Sequence, residues 1–262
     1  MKKLTVLAAG LLLLVPCLVF SDSFSLRLGY FMPRASTDII LHPDSLWAIE
    51  FDQMSFRMQD FRGTTLGAGY EYFLGKNLSL AFTLDAFSKS RLGDYLYYDQ
   101  TEFDEGWFAF PTDLEPSDIV DWYYISHSFK VSSTPLQLSL KFMPLGRKTR
   151  LIPFVGGGAG LYLWSVRMYG EMVNFADPWL YTDPELGDID ILPVESVNGR
   201  EKGSVFGYHA FAGLQFPIGY RATIDAEARY HWAKARFDTW FQGFEDFDLG
   251  GLALTVGFSY WF

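Results

Sequence analysis

Hydrophobic residues alternate with small or polar residues through much of this chain, most clearly in its last segment. Over 252–262, leucine, valine, phenylalanine and tyrosine occupy every second position. A period of two places these side chains on one face of a β-strand. An open strand with so apolar a face promotes aggregation, whereas a closed barrel in lipid pairs that strand with another. The segment therefore predicts one strand of a membrane β-barrel.

The same alternation recurs along the chain and predicts eight strands. They are 24–30, 66–74, 78–86, 136–142, 151–166, 206–216, 222–232 and 252–262. The fourth strand has no sharp start near Tyr124, and Pro135 marks either a bulge or a break in it. The glycine-rich run 156–160 leaves it open which face of the fifth strand is apolar.

The connections between these strands alternate in length. Those after strands two, four and six are short, whereas 32–63, 88–122 and 168–203 are long and 236–249 is intermediate. Short turns at one rim and long loops at the other are typical of bacterial outer-membrane barrels, whose short turns face the periplasm. We therefore predict an all-β fold: a transmembrane, antiparallel, up-and-down β-barrel of eight strands, with long extracellular loops and short periplasmic turns.

The first residues have a different pattern. Lys2-Lys3 precedes an apolar stretch that ends in Val19-Phe20-Ser21, as in a secretory signal peptide. We predict a cleaved signal peptide over 1–21 and one barrel domain over 22–262. The alternatives are a membrane anchor, for which the apolar run is short, and lipidation at Cys17, for which the preceding Pro16 is unfavourable.

Composition narrows the function further. Aromatic residues make up 18% of the chain, which suits the interfacial girdles of a membrane barrel. A formal net charge of −10 argues against a nucleic-acid partner. The mean hydropathy of +0.07 agrees with a barrel, since a polar interior dilutes the apolar outer face.

Several segments resemble a known family. The run Pro153–Tyr162 with its alternating glycines, the strand Phe206–Leu214, the stretch Asp225–Tyr230 and the aromatic end Tyr260-Trp261-Phe262 are similar to the outer-membrane-protein β-barrel domain family, the group around the OmpA transmembrane domain, OmpX and OmpW. This resemblance implies a monomer in the outer membrane of a Gram-negative bacterium. It also implies that the barrel-insertion machinery recognises the C-terminal strand, through Phe258, Tyr260 and Phe262.

Charged residues on the polar faces of the predicted strands form the first candidate site. We expect them to line the lumen, as Arg27, Glu71, Asp85, Lys141, Asp225, Glu227, Arg229 and His231. Because an unpaired buried charge is costly, acids and bases in a narrow lumen should pair. The set is either a gate or selectivity filter, or a packed polar core that holds the barrel together, and we favour the core.

Two acidic and aromatic segments, 94–121 and 171–201, form the second candidate site. They are either solvated loops or a surface that binds a partner, a ligand or divalent cations through carboxylates. Neither has the spacing of an EF-hand, so we predict no metal site and no cofactor.

For function, we predict an integral outer-membrane barrel that serves envelope integrity, or narrow passage or binding of small molecules. Its partners would be outer-membrane lipid, the insertion machinery and an unidentified surface ligand. An adhesin-like role of the acidic, aromatic loops is one alternative. The other is an outer-leaflet lipid-modifying enzyme using His231, or His127 between Ser126 and Ser128. The chain has no Gly-x-Ser-x-Gly or His-Glu-x-x-His motif, so we predict no catalytic residue.

Overall fold

The computed structural model describes residues 22–34, 55, 58–104, 106–112, 123–185, 187–242 and 246–262. The predicted signal peptide and most of the predicted loop 32–63 lie outside the described residues. One short 3₁₀ helix, Met58–Phe61, precedes the second strand. Within the described ranges, no helix is long and apolar enough to cross a membrane.

The structure consists almost entirely of β-strands. In chain order they are β1 (Asp22–Pro33), β2 (Gly63–Phe73), β3 (Leu78–Asp94), β4 (Tyr98–Phe103), β5 (Gly106–Pro111), β6 (Ser126–Phe142), β7 (Ile152–Val173), β8 (Trp179–Asp183), β9 (Gly187–Pro217), β10 (Ala222–Trp232), β11 (Lys234–Ala235), β12 (Phe247–Asp248) and β13 (Gly251–Trp261). Eight of them form a closed antiparallel ring in the order β1-β2-β3-β6-β7-β9-β10-β13. The predicted eight-stranded barrel is confirmed, and each predicted strand lies within or largely overlaps one of these eight.

The last strand closes the ring by pairing with the first. Phe24 lies opposite Tyr260, and Leu28 lies opposite Val256. On its other side β13 pairs with β10 along ten consecutive residues. The apolar C-terminal strand therefore has no open edge, as its sequence required.

An apolar band covers the outer face of the barrel. It is formed by the alternating outward side chains of 24–32, 64–72, 78–86, 134–142, 153–163, 206–216, 222–232 and 252–262, which we take as the membrane-spanning segments. Leu26 is 59% exposed and Val256 is 58% exposed. Segments of nine to eleven residues match the length of a tilted strand crossing a bilayer. A closed antiparallel barrel with this apolar band lies in the bacterial outer membrane.

Above the band, the barrel continues as an extracellular extension. It comprises the outer ends of β3, β6, β7 and β9, together with β4, β5 and β8. The hairpin β4–β5 pairs with β9 at Ala109 and Leu192, and β8 pairs with β9 at Trp179 and Ile191. The long connections 88–122 and 168–203 therefore contain strands where we predicted loops. Their dense carboxylates mask the alternation, and the pairing with distant β9 leaves no local signal.

Strands β6 and β7 answer two questions that the sequence left open, namely the effect of Pro135 and the apolar face of the glycine-rich strand. Leu84 pairs with Leu136 and Phe87 with Ser133, so the register of β3 and β6 is the same on both sides of Pro135. Pro135 is therefore not a bulge and does not end the strand, although it interrupts the pairing with β3 at Asp85 and Ala86. On β7, Phe154 and Tyr162 face inward, whereas Val155 faces the lipid.

Side chains fill the lumen in three layers. The periplasmic layer is an apolar cluster of Phe73, Met143, Ile152, Phe154 and Phe211. The extracellular layer is a larger apolar cluster that contains Phe129, Trp164, Phe237 and Phe247, with Tyr162 at its base. The charged residues lie between these two layers, from the middle of the membrane toward its periplasmic side.

Candidate functional site

All eight charged or titratable residues predicted to line the lumen do face inward. Glu71, Asp85, Lys141, Arg229 and His231 are buried, and the other three are half-buried. Strand alternation explains this placement, because each residue sits at an inward position of its strand. The structure brings all eight into three ion-paired or hydrogen-bonded groups.

The central group is built around Glu227. Its carboxylate accepts a hydrogen bond from Arg27 Nη2 at 2.7 Å and another from Arg229 Nε at 2.8 Å. Arg27 Nε also lies 3.4 Å from Asp85 Oδ1. Arg229 is only 1% exposed, and its guanidinium lies 4.6 Å from the ring centre of Phe211. Two arginines therefore share one carboxylate, in an environment where water cannot compensate either charge.

Neutral residues extend this group toward the extracellular side. Arg229 Nη1 donates to Thr83 Oγ1 at 2.8 Å and to the side-chain oxygen of Gln137. Gln137 Nε2 donates to the Tyr162 hydroxyl at 2.9 Å, and His231 Nδ1 lies 3.0 Å from both. The sequence reasoning missed Thr83, Gln137 and Tyr162 because it selected charged residues only. Their inward positions on β3, β6 and β7 were the available signal.

A second group lies nearer the periplasm. Lys141 Nζ donates to Glu71 Oε2 at 2.9 Å and lies 4.2 Å from the ring centre of Phe154. The other Glu71 oxygen accepts from Ser79. In this arrangement the buried lysine of β6 and the buried glutamate of β2 neutralise each other.

Asp225 forms the third group. Its carboxylate accepts hydrogen bonds from Thr223 Oγ1 at 2.9 Å and from Ser259. In the central group, close packing around Asp85 requires glycine on the neighbouring strand: a Cβ at Gly67 would lie 2.0 Å from Asp85 Oδ1. Gly67 of β2 thus makes room for a charged side chain of β3.

Little free space remains around these groups. One cavity of about 30 Å³ lies beside Arg27, Asp85 and Tyr162, and another of about 40 Å³ lies beside Glu71 and Lys141. Each holds no more than a few water molecules. In the part of the lumen that the structure describes, the two cavities do not amount to a continuous aqueous path.

The three described histidines, His127, His209 and His231, are all buried. His127 is buried and faces inward, whereas Ser126 and Ser128 lie at outward positions of the same strand. A Ser–His contact that the sequence reasoning missed joins Ser139 Oγ to His209 Nε2 at 2.7 Å, deep in the packed lumen. A serine nucleophile there would have no room for a substrate.

His127 lies above the membrane-spanning segments, and its environment is unusual. Burial lowers the pKa of its imidazole to about 4, an effect that the nearby charge of Asp94 opposes. Its ring packs edge to face against Tyr95, with centroids 5.1 Å apart. His127 is therefore neutral at neutral pH when the base of the extracellular extension is folded.

The extension carries aromatic side chains beside its carboxylates. Trp179 lies 6.0 Å from Phe103 and 5.5 Å from Phe108, measured between ring centroids, and Trp107 packs edge to face against Tyr123. Burial raises the pKa of Asp99 in this hairpin. Glu105 and 113–122 lie outside the described residues. Among the residues that are described, no cluster of histidine, cysteine and acidic side chains could hold a metal ion.

The predicted insertion signal lies on the lipid-facing side of β13. Phe258, Tyr260 and Phe262 are exposed at alternate positions, where a membrane-bound insertion factor could reach them. Recognition by that machinery stays a prediction.

No protein-family model matches the chain, and no curated protein matches it either. Among solved structures, it is similar to the N-terminal β-barrel domain of Pseudomonas aeruginosa OprF, with 10% identity, a TM-score of 0.41, and coverage of 92% of this chain and 97% of that one. It is similar to Neisserial surface protein A, with 10% identity, a TM-score of 0.42 and the same coverage. It is also similar to the attachment invasion locus protein Ail of Yersinia pestis, with 13% identity, a TM-score of 0.40, and coverage of 93% of this chain and 100% of that one. The closed ring and the outward apolar band establish that this chain is a small eight-stranded β-barrel of the outer-membrane type.

Proposed function

We propose that this protein is a sealed, non-catalytic outer-membrane barrel whose extracellular extension binds a partner at the cell surface. The observation that carries the proposal is the contrast between a filled lumen and an ordered extension. Three layers of side chains occupy the lumen, whereas β9 alone continues for almost twenty residues beyond the apolar band. A strand of that length is much longer than the span of the bilayer requires.

Passage of small molecules is the weaker part of our sequence-based prediction. A solute would have to displace Arg229 and Glu227 from hydrogen bonds of 2.8 Å or less and then cross the apolar layer around Phe129 and Trp164. Breaking a buried ion pair costs about 3–5 kcal/mol, because one charge is left without compensation. The ion-paired groups therefore favour the packed polar core over the gate.

The charge of the extension favours a cationic partner surface. Between Arg91 and Lys130 the sequence has no lysine or arginine, and none lies between Arg167 and Arg200. Carboxylates and aromatic rings alternate through the same stretches, as in Glu102-Phe103 and Asp177–Trp179. Complementary charge accelerates association, and aromatic anchors supply much of the affinity of protein interfaces.

The positions of the serine and histidine side chains support a non-catalytic barrel. A lipid-modifying enzyme needs a serine or histidine that opens to the outer leaflet. His231 contacts Gln137 and Tyr162 inside the lumen, and the serines beside His127 face away from it.

Planar-bilayer recording tests the sealed lumen. We expect the wild-type barrel to give no stable conductance steps, and we expect Trp164→Ala combined with Phe129→Ala to give none either, because the charged and periplasmic layers still fill the lumen. Regular conductance from the wild-type protein would overturn the sealed barrel and restore the passage hypothesis. The heat-modifiable gel shift of each protein checks that it is folded.

Surface binding has its own test. Wild-type protein in phosphatidylcholine nanodiscs is compared with a variant in which a short glycine–serine turn replaces 97–112, with a lysine-rich peptide as the probe and a glutamate-rich peptide as its control. We expect binding of the lysine-rich peptide to fall at least tenfold in the variant. Equal binding by both proteins would contradict the role of the extension. Loss of detergent resistance in cells that carry the variant would point instead to envelope integrity.

A further inference from the structure

The outer surface of the barrel changes character directly above the apolar band. On three adjacent strands, the last rows of the band pair Leu136 with Leu161 and Leu161 with Phe206. The next row above contains Leu163 of β7. Four residues beyond that row, the outward positions of β6, β7 and β9 are occupied by Lys130, Arg167 and Arg200, respectively. We name the exposed cations of this region the basic belt: Lys130, Arg167, Arg200, Lys202, Lys234 and Arg236.

The belt places like charges next to one another. Lys130 is the cross-strand partner of Arg167, and Arg167 is the cross-strand partner of Arg200. Directly opposed like charges destabilise a sheet. In the described residues, no carboxylate forms an ion pair with Lys130, Arg167, Arg200 or Lys202. The row therefore calls for a counter-charge from outside the chain.

Neutral side chains hold these cations in position without neutralising them. Asn198 Oδ1 accepts from Arg167 Nε at 3.2 Å and from Arg167 Nη2 at 2.9 Å. Ser165 Oγ accepts from Arg200 Nε at 3.2 Å. Each guanidinium keeps further N–H donors, which suit a phosphate oxygen.

The wall of the barrel also has a groove at this level. The pairing of β9 with β10 ends at Tyr208 and Trp232, and above it a groove of about 530 Å³ is lined by Arg200, Lys202, Lys234 and Arg236. Glu201 is buried beneath it, where its carboxylate accepts three backbone N–H bonds from 238–241. That carboxylate fixes the loop beside the groove, and Asp238 reaches Arg236 only at 3.7 Å.

The height of these cations above the apolar band indicates which counter-charge they meet. The row of Lys202 and Ser165 lies about 7 Å along the strand above the row of Leu163, and the row of Arg167 lies about 13 Å above it. Strand tilt shortens these heights, and the headgroup region of each leaflet is about 5–7 Å thick. Long cationic side chains reach down to that level. We propose that the basic belt binds the phosphate groups of anionic lipid headgroups in the outer leaflet, with β6, β7 and β9 forming the contact face.

The test measures lipid preference. Folded protein is extracted from vesicles of phosphatidylcholine doped with diphosphoryl lipid A, and native mass spectrometry gives the ratio of the two lipids that stay bound. Each cation near an anionic surface strengthens binding about fivefold. We therefore expect Arg167→Gln/Arg200→Gln/Lys202→Gln to lower the preference for lipid A by roughly tenfold or more. The matched control, Lys76→Gln/Lys148→Gln/Arg150→Gln, removes the same charge from exposed periplasmic turns and should keep most of the preference.

Three outcomes would overturn the proposal. They are a wild-type protein without preference for lipid A, a belt variant that keeps the wild-type preference, and free pyrophosphate that binds the wild type in neutral vesicles as tightly as lipid A does. The last would identify a soluble anion as the ligand. If the belt variant does not fold, the wild type in 1 M salt replaces it, because screening at that ionic strength should abolish a headgroup preference and leave a purely apolar one intact.

Discussion

The lumen and the outer surface of this barrel distribute their charges in opposite ways. In the lumen, acids and bases alternate at contact distance, as in Arg27, Glu227 and Arg229. On the surface the signs are separated by depth: cations form the belt above the lipid band, and carboxylates dominate the extension beyond it. The same chain therefore follows two electrostatic rules.

The surroundings of each region explain the difference. A charge inside the packed lumen has little water to stabilise it, so its main partner comes from the chain itself. A charge on the outer surface is solvated, so repulsion between neighbours is weaker there than in the lumen, and salt screens it at distances beyond about 10 Å. Surface charges are thus free to be arranged for an external partner. Substitutions that remove one charge of an ion pair, in the lumen or on the surface, test this interpretation.

The largest effect is expected at the shared carboxylate of the lumen. Glu227→Gln keeps the shape of the side chain but leaves Arg27 and Arg229 with one opposite charge fewer. We expect the free energy of unfolding to fall by about 3–5 kcal/mol, the cost of breaking a buried pair. Urea unfolding in lipid vesicles, followed by the heat-modifiable gel shift, measures it.

A double-mutant cycle controls this prediction. Arg229→Gln alone should also destabilise the barrel, whereas Glu227→Gln/Arg229→Gln removes both charges and should cost less than the sum of the two single changes. Additive losses would mean that Glu227 and Arg229 stabilise the barrel independently, and the pairing rule for the lumen would fail.

A smaller effect is expected where the extension meets the barrel. His127 is neutral and buried when folded, with a pKa of about 4 against an ordinary value of 6.5. Because the folded pKa is depressed, the neutral histidine stabilises the extension fully above pH 6.5. That stability is lost as the pH falls from 6.5 toward 4, by about 2–3 kcal/mol near pH 4.5. Amide hydrogen exchange of β6, corrected for intrinsic pH dependence, reports the loss.

His127→Phe is the matched variant. It keeps the aromatic contact with Tyr95 and retains the lumen histidines His209 and His231. If acid loosens β6 equally in the wild type and the variant, the titrating group is elsewhere and this explanation is wrong.

The sequence predicted the barrel well because each spanning strand carries its own signal. Every residue of 222–232 lies in β10 as predicted, and the inward positions Asp225, Glu227 and Arg229 follow from alternation alone. The pairing partners within the lumen did not follow from it. Arg229 reaches Thr83 on another strand, and that contact depends on barrel closure and strand stagger, which a local pattern does not encode.

The extension was harder to predict for a related reason. Its strands form by pairing with residues far away in sequence, as Phe108 does with Pro193. Its side chains face water on both sides in places, so no apolar periodicity marks them. The belt likewise depends on register, since Lys130, Arg167 and Arg200 are widely separated in the chain and become neighbours only across strands.

The smallest effect is expected for an exposed ion pair. It joins the same kinds of charged groups as the lumen pairs, but it lies in water. Arg236 Nε lies 3.7 Å from Asp238 Oδ1, with side chains 83% and 77% exposed. We expect Asp238→Asn to change the free energy of unfolding by less than about 0.5 kcal/mol, because water solvates both groups with or without the partner. Glu71→Gln makes the same chemical change beside Lys141 in the lumen, at 2.9 Å, and should cost several times more. Measured side by side by urea unfolding, equal losses from the two variants would show that burial does not decide the strength of these pairs, and the contrast between lumen and surface would no longer hold.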